Sequence, residues 1–298
     1  MQEYIDSIDA IASWFFPVLS FGIGTCIGSF LNVCIYRIPE GMSVVHPPSR
    51  CGACGKPIPF YNNIPILAWV FLKGKAACCG APFSVRYPAI ELLTGALFLT
   101  SWLLLPAPIA IIGFVWISIL IAVTFIDLDH MIIPDRFSIG GLFAGIILSM
   151  IVPQLHGIHA DDAILGGIQG LFTAVKGALI GSSIILWIMI LAEAVLKKEA
   201  LGFGDVKLMG AIGAFCGWQG AIFSLFGGAV LGTFAIGLMQ LIKVLSPKKE
   251  GSENDQRMIG REIPFGPMLA AGSLLYYLYL GPKVDWYFNQ FTWVFPGG

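Results

Sequence analysis

Long apolar segments, separated by shorter polar ones, dominate the pattern along the chain. Most run for about 20 residues, the length that a helix needs to cross a bilayer, and they lack the alternation of an outer-membrane barrel. The segments lie at residues 13–36, 89–105, 108–126, 137–153, 163–196, 208–244 and 263–280. The segment 208–244 is too long for one crossing, and Gly-Trp-Gln-Gly at residues 217–220 offers a turn that divides it in two. The pattern therefore predicts an all-α polytopic membrane protein with about eight transmembrane helices.

The boundaries of these segments suggest an organisation of the chain. Acidic residues precede the first segment, so we expect a retained span rather than a cleaved signal peptide. Lys176 lies inside the stretch 163–196, and we expect the fifth span to begin near this residue. Three parts are predicted: a first transmembrane helix within residues 1–36, a cytoplasmic cysteine-containing loop domain at 37–88, and a seven-helix membrane core at 89–298.

Composition narrows the class of protein. Hydrophobic residues make up 57% of the 298 residues and charged residues 12%, whereas a soluble protein is about one quarter charged. This composition excludes an ordinary soluble enzyme and makes the lipid bilayer a partner of the chain. The net charge of −1 excludes a protein that binds nucleic acid through bulk positive charge.

The distribution of Lys and Arg predicts the orientation of the spans. With eight spans and both termini outside, the inner segments are residues 37–88, 127–136, 197–207 and 243–262. These segments hold 15 of the 17 basic residues, as the positive-inside rule requires. We therefore expect the loop 37–88 in the cytoplasm and both termini on the opposite side of the membrane.

Four cysteines in the polar loop form a candidate metal site. Cys51 and Cys54 are two residues apart on a turn that contains glycine, a spacing that places two sulfur atoms on one Zn²⁺ ion. Cys78 and Cys79 follow at a suitable distance along the chain, but they are adjacent, which distorts the backbone around a shared ion. The alternative is a pair of buried thiols beside a loose turn. Stable disulfides are not expected in a cytoplasmic segment.

Two groups of aspartates lie at the predicted inner edge of the membrane. A carboxylate inside a span costs about 2.5–3.5 kcal/mol on insertion scales, so such groups need a reason. Asp127 and Asp129 end the third predicted span, and Asp205 precedes the sixth. Both groups lie on the same side of the membrane and meet if these spans pack together.

Paired carboxylates of this kind support hydrolysis of a peptide bond. Two carboxylates in contact share a proton, so one is ionised and takes a proton from water while the other donates to the carbonyl oxygen. Glycines at 202 and 204 allow a close approach of a substrate strand to the backbone. A proton-coupled transporter would use the same aspartates as a relay. The plainer alternatives are solvated loop aspartates, helix caps, and an Asp205–Lys207 ion pair.

Taken together, these motifs resemble one family. The sequence is similar to the bacterial prepilin peptidases, the bifunctional leader peptidase and N-methyltransferase enzymes of type IV pilus and type II secretion systems. Part of the match is the GxGD motif of intramembrane aspartyl proteases. The similar segments are residues 28–39, 51–91, 127–135, 202–208 and 263–267.

The resemblance implies an aspartic endopeptidase of the bacterial inner membrane with periplasmic termini. Asp127 and Asp205 match the catalytic dyad, and Gly202, Gly204, Lys207 and Asp129 are expected to support the site. The expected substrates are prepilins and pseudopilins, cut after a glycine at the cytoplasmic edge of their apolar segment.

The resemblance also implies a second activity, methylation of the new N-terminus with S-adenosylmethionine. Arg86 and Glu91 are candidates to support this step, and a charge pair between them that stabilises the loop is the alternative. The family carries two C-x-x-C pairs, whereas Ala76 stands here where the third cysteine belongs. This departure places the zinc site in question, with Cys78 as the candidate replacement.

Overall fold

The structure, a computed structural model, describes residues 11–197, 202–245 and 264–290, and these residues form helices joined by loops. Within those ranges, the β-type pairings are two isolated bridges, Arg50–Pro57 and Lys75–Pro82. The predicted all-α class is confirmed. The helices are α1 (Phe15–Arg37), α2 (Leu67–Phe71), α3 (Arg86–Leu104), α4 (Ala107–His130), α5 (Asp135–Ile151), α6 (Ala163–Leu196), α7 (Phe203–Leu245), α8 (Gly266–Leu275) and α9 (Gly281–Asn289).

Several of these helices have the length and apolar character of membrane spans. Among the described residues, α1, α3, α4, α6 and α7 are long and apolar enough to cross a bilayer. The chain is therefore an integral membrane protein. Helix α5 is shorter, with 17 residues. The predicted inner segment 243–262 lies largely outside the described residues.

The predicted interruption of the segment 208–244 is present in the structure. Helix α7 spans 43 residues, but Gly217 within it has φ 68° and ψ 179°. Only glycine adopts this combination readily, because a Cβ atom clashes with the backbone there. The break falls inside the predicted turn at residues 217–220. The division of this segment into two membrane crossings stays a prediction.

The predicted start of the fifth span was wrong. Helix α6 begins at Ala163 and continues for 34 residues, so Lys176 lies inside the helix rather than at its beginning. Asp162 sets the true start, because its Oδ1 accepts a hydrogen bond of 2.8 Å from the Ile164 N–H. A lysine inside an apolar helix is tolerated since its long aliphatic stem carries the ammonium group toward water.

The chain divides into two compact units. The first contains residues 1–126 and 147–170, and the second contains 127–146 and 171–298. In the first unit, α1 packs closely against α3. A Cβ atom at Gly24 would lie 2.8 Å from the Gly95 Cα, and one at Gly28 would lie 2.8 Å from the Glu91 Cα. Glycine at these positions therefore permits the two helices to approach.

In the second unit, too, helices approach each other closely at glycines. A Cβ atom at Gly177 of α6 would overlap with the carbonyl oxygen of Gly213 in α7, and the reverse is also true. The Ser182 hydroxyl donates to the Val206 carbonyl oxygen at 3.1 Å, which fixes the first turn of α7 against α6. Small residues at a helix interface let backbones pack at short distance, where dispersion and polar contacts hold membrane helices together.

We expect Gly177→Ala to destabilise the protein. The added methyl group meets backbone rather than a movable side chain, and overpacking of this kind costs about 1–3 kcal/mol. The measurement is unfolding in detergent by a denaturing surfactant, followed by circular dichroism.

The matched control for this substitution is Gly140→Ala in α5. A Cβ atom at Gly140 meets nothing within 4 Å, so the better helix propensity of alanine should leave stability equal or higher. Equal unfolding of Gly177→Ala and Gly140→Ala would contradict the packing argument.

Candidate active site

Asp127 lies in the last turn of α4 and is buried, with 5% of its surface exposed. Its Oδ2 accepts a hydrogen bond of 3.0 Å from the Gly266 N–H. Gly266 is the first residue of α8, and the first N–H groups of a helix have no partner within the helix. The carboxylate therefore pairs with an N–H group that would otherwise lack a partner. This hydrogen bond holds the start of α8 at the end of α4.

Asp205 lies in the first turn of α7 and is also buried, with 7% of its surface exposed. Its Oδ2 accepts a hydrogen bond of 3.3 Å from the N–H of Gly202, the residue before the helix. This bond is one half of a capping box, in which Asp205 is the third residue of the helix and not its N-cap, the role considered from the sequence. Negative charge in the first turn is also favoured by the helix dipole.

The structure brings Asp127 and Asp205 together. The two carboxylates interact electrostatically. The side chain of Ile133 lies next to Gly266, whose N–H donates to Asp127, and next to Gly204, which precedes Asp205. A Cβ atom at Gly204 would lie 3.0 Å from the Ile133 Cβ, and one at Gly266 would lie 3.3 Å from the Ile133 Cδ1. The chain segments that carry the two aspartate motifs are therefore in contact at Ile133 and Gly204.

Lys207 links the two motifs at their exposed side. Its Nζ lies 2.6 Å from the Asp135 Oδ1, so the ammonium group pairs with Asp135 and not with Asp205 as one alternative had it. Asp135 begins α5 and Lys207 lies in the first part of α7, and the bridge therefore ties the two helix starts. An exposed ion pair contributes about 0–1 kcal/mol to stability, so its main effect is to fix the positions of the two helix starts. Asp129 is exposed.

Each carboxylate of the pair has one oxygen free of protein hydrogen bonds. Within the described residues, the bonds to Asp127 and Asp205 both use Oδ2, and neither side chain pairs with a Lys or Arg. Two carboxylates that interact electrostatically without a cation do not both ionise readily, so protonation of one of them is favoured. The arrangement can therefore accept one proton and donate another to a group placed at the Oδ1 atoms.

The four cysteines predicted from the loop form one cluster. Their sulfur atoms all lie within 4.8 Å of one another, with Cys51 and Cys79 at 3.7 Å and Cys54 and Cys78 at 3.3 Å. Sulfur atoms around a tetrahedral zinc ion with bonds of about 2.3 Å are about 3.8 Å apart. The cluster therefore fits the donor set and spacing of a structural zinc site.

Two similar turns carry these cysteines. In the first, Cys51 N–H donates to the Lys56 carbonyl and Gly55 N–H to the Cys51 carbonyl, both at 2.8 Å. In the second, Ala76 N–H donates to the Ala81 carbonyl and Gly80 N–H to the Ala76 carbonyl, also at 2.8 Å. Ala76 thus occupies the position of Cys51, and Cys78 supplies the sulfur that Ala76 lacks.

The first turn also favours a thiolate. The backbone N–H groups of Cys54 and Ala53 lower the pKa of the Cys51 thiol to about 6, because they donate to its sulfur. A thiolate is the form in which cysteine binds a metal ion.

The two candidates for the methylation step make separate contacts. Glu91 is buried in α3, where its Oε2 accepts a hydrogen bond of 2.7 Å from the Ile66 N–H and the carboxylate also bonds the Ser29 hydroxyl. Arg86 lies over the ring of Phe125, 5.3 Å from its centre. The structure therefore does not contain the Arg86–Glu91 charge pair considered from the sequence.

Gly266 is a site residue that the sequence argument did not single out. A Cβ atom there would lie 2.6 Å from the Asp127 Oδ2, so glycine is required where α8 meets the carboxylate. The sequence indicated this residue only indirectly, because Gly266 lies within the segment 263–267 that resembles a motif of the family. Ile133 gave no signal, because an apolar residue in a short loop has no pattern that indicates a site.

Models of two known protein families together match most of the chain. Residues 23–105 match the bacterial peptidase A24 N-terminal domain, and residues 114–237 match the type IV leader peptidase family. No solved structure matches the chain.

Curated relatives of the chain carry the name prepilin leader peptidase/N-methyltransferase. The protein of Aeromonas hydrophila is 33% identical over 93% of this chain and 96% of its own length. That of Myxococcus xanthus is 34% identical over 80% and 68%, and that of Klebsiella pneumoniae is 36% identical over 66% and 83%. The chain therefore belongs to the type IV leader peptidase family.

Proposed function

We propose that this protein removes the leader peptide of prepilins and pseudopilins with Asp127 and Asp205, and then methylates the new N-terminus. The observation that carries the peptidase half is the buried carboxylate pair, held by the glycine N–H groups of two helix starts in a chain of this family. The curated relatives, named prepilin leader peptidase/N-methyltransferase, support the substrate class and the second activity.

Cleavage follows from a single proton shared by the pair. The ionised aspartate removes a proton from a water molecule, whose oxygen attacks the peptide carbonyl carbon. The protonated aspartate donates to the carbonyl oxygen, and the leaving amine receives a proton as the C–N bond breaks. Either aspartate can act first, because the two surroundings are similar: a buried carboxylate with one glycine N–H on Oδ2.

The placement in the membrane is part of the proposal. The chain crosses the bacterial inner membrane eight times, with periplasmic termini, a cytoplasmic loop domain at 37–88 and a membrane core at 89–298. The distribution of basic residues and the break at Gly217 support this arrangement. The pair then acts at the cytoplasmic face, where the basic leader of a prepilin remains.

The competing transporter function has less support. A relay of protons needs further carboxylates along a path through the membrane, and among the described residues of this compact unit the buried carboxylates are Asp127 and Asp205. Asp285 is half-buried and accepts a hydrogen bond of 2.6 Å from the Tyr276 hydroxyl. The named relatives are peptidases and methyltransferases. Peptide cleavage is therefore the better supported function.

We expect Asp127→Asn and Asp205→Asn to abolish cleavage. An amide can neither take a proton from water nor donate one as an acid, and loss of a general acid or base costs about 10²–10⁴-fold in rate. The measurement is mass spectrometry of a prepilin incubated with the purified protein in detergent and lipid. Asp161→Asn, an exposed loop aspartate, is the matched control, and normal cleavage by either dyad variant would disprove the pair.

We also expect Gly266→Ala to reduce cleavage strongly although both aspartates remain. The added methyl group would lie 2.6 Å from the Asp127 Oδ2, so α8 must shift and the N–H bond to the carboxylate is lost. A displacement of about 1 Å in a catalytic group costs about 10²-fold. Gly140→Ala controls for the general effect of alanine, and wild-type rates for Gly266→Ala would contradict the positioning role.

The cysteine cluster is proposed to hold one structural zinc ion through Cys51, Cys54, Cys78 and Cys79. The sulfur spacing and the lowered pKa of Cys51 support this assignment. The ion would hold the two turns of the loop together, a role that a short polar segment without a large apolar core often needs.

Metal analysis tests the zinc proposal, with one zinc per chain expected for the purified protein. Cys78→Ser should lose the ion, whereas Cys26→Ser, outside the cluster, should keep it. The double variant Ala76→Cys/Cys78→Ala should also keep it, because residue 76 occupies the position in the second turn that Cys51 has in the first. Absence of zinc from the wild type, or its retention by Cys78→Ser, would contradict the proposal.

A further inference from the structure

The short helix α2 is apolar on all sides, although one side of it is exposed. Its inner side chains, Trp69 among them, face the interior of the loop. Its outer side chains, Leu67, Val70 and Phe71, are 53%, 56% and 79% exposed. A helix that is apolar all round is normally buried in a protein core or in a membrane. The outer face therefore needs an apolar partner, and the described residues do not provide one.

The inner face of α2 is fixed to the rest of the loop. The Trp69 Nε1–H donates a hydrogen bond of 3.1 Å to the Phe83 carbonyl oxygen, close to the start of α3. The same indole packs against the backbone of Gly74, where an added Cβ atom would lie 3.1 Å from the ring. Helix α2 cannot turn its outer face inward without breaking these contacts, so that face stays directed away from the loop.

The chain enters α2 beside the interior parts of α1 and α3, and not beside their ends. Pro65 lines a groove together with Ser29 of α1. The Ile66 N–H donates to the Glu91 Oε2 of α3 at 2.7 Å. Ser29 lies about 12 Å from the end of α1, and Glu91 about 8 Å from the start of α3, at 1.5 Å per residue. Because α1 and α3 have the character of spans, α2 begins at membrane depth.

The backbone at this depth has its hydrogen bonds within the protein, as a lipid environment requires. The Ala68 N–H donates to the Ile64 carbonyl at 3.0 Å, and the Ile66 N–H has Glu91 as its acceptor. Ile66 has φ 60° and ψ −54°, a conformation that a β-branched residue rarely adopts. The buried Glu91 carboxylate therefore maintains a strained turn that starts α2 at this level.

Basic residues surround α2 at the level of the lipid headgroups. Arg37 ends α1 and Arg86 begins α3, while Lys73 and Lys75 follow α2 and are exposed. The loop at 37–88 holds six basic residues and a single acidic residue. Anionic headgroups attract such charge, and the long stems of lysine and arginine reach them from a deeper position. The charge therefore favours anionic lipid over a second copy of this basic loop as the partner.

We propose that α2 is an interfacial helix, with Leu67, Val70 and Phe71 inserted among the acyl chains of the leaflet at which α1 ends and α3 begins. Interfacial helices bury their apolar face about 5–10 Å into the boundary between headgroups and chains, which agrees with the depth of Glu91. The loop is thereby attached to the bilayer at a third point, in addition to the two spans that it joins. This inference is independent of the proposed peptidase and methyltransferase activities.

Photo-crosslinking tests the proposal in the full-length protein. The photoreactive residue p-benzoylphenylalanine replaces Leu67, Val70 or Phe71, one at a time, in vesicles of phosphatidylethanolamine and phosphatidylglycerol. Irradiation joins the benzophenone to a neighbouring C–H bond, and mass spectrometry identifies the adduct. We expect phospholipid adducts at all three positions, because each side chain is exposed on the outer face of α2.

Two positions calibrate the yield of lipid adduct. Leu92 lies next to Glu91 in α3 and is 51% exposed, so it reports the yield of a lipid-facing side chain at the same depth. Glu40 is exposed in the loop beyond the end of α1, and it reports the background outside the lipid. The yield at the α2 positions should be within about twofold of that at Leu92 and about fivefold or more above that at Glu40.

A charged variant provides a second measurement. With the photoreactive residue at 67, Val70→Asp/Phe71→Asp should lower the lipid adduct to the Glu40 level, because carboxylates are excluded from acyl chains. The apolar variant Val70→Leu/Phe71→Leu should retain it. Circular dichroism and gel filtration in detergent report whether each variant is folded. If the charged variant is not, the single photoreactive substitutions decide the outcome.

The other possible partners of this face give different adducts. Crosslinks from α2 to a second copy of the chain, or to an added prepilin, in place of lipid would overturn the proposal. Lipid yields at the Glu40 level in all three positions would overturn it as well. Cleavage and methylation of prepilin do not enter the readout, so failure of this inference leaves the proposed function intact.

Discussion

The burial of two carboxylates that interact electrostatically is the constraint on which the second compact unit depends. Removing a carboxylate from water is costly unless hydrogen bonds compensate. Each of the two accepts a hydrogen bond from a glycine N–H at the start of a helix. Asp127 thereby ties the end of α4 to the start of α8, and Asp205 closes the first turn of α7. The same bonds leave one oxygen on each side chain available, so the contacts that stabilise the pair also prepare it for proton transfer.

Glycine makes this arrangement possible because the backbones must approach closely. Gly266 leaves room for the Asp127 carboxylate, while Gly177 and Gly213 bring α6 against α7, whose first turn carries Asp205. In lipid, helices gain little from apolar burial, and close backbone contact replaces it as the source of association. The geometry of the carboxylate pair therefore depends on glycines, which have no side chain of their own.

The cysteine-containing loop is organised by two turns and one cluster of sulfur atoms. It is a short segment whose two turns resemble each other in their hydrogen bonds, and its four sulfur atoms form a single cluster despite Ala76. Adjacent cysteines at 78 and 79 can serve one ion because Cys78 reaches Cys54 while Cys79 reaches Cys51. The strained Ile66, fixed by Glu91, shows that this loop also maintains a specific and costly conformation.

The sequence by itself determined the helical class, the positions of the apolar segments, the break near Gly217 and the two aspartate motifs, because hydropathy, glycine and charge are local properties. It misjudged the start of α6, since a lysine in an apolar run reads as a boundary although its stem reaches water from within a helix. Only the tertiary structure decided that Lys207 pairs with Asp135, that Glu91 bonds Ile66 instead of Arg86, and that Gly266 holds Asp127. These contacts join residues far apart in the chain, and their partners are chosen by helix packing, which no local pattern encodes.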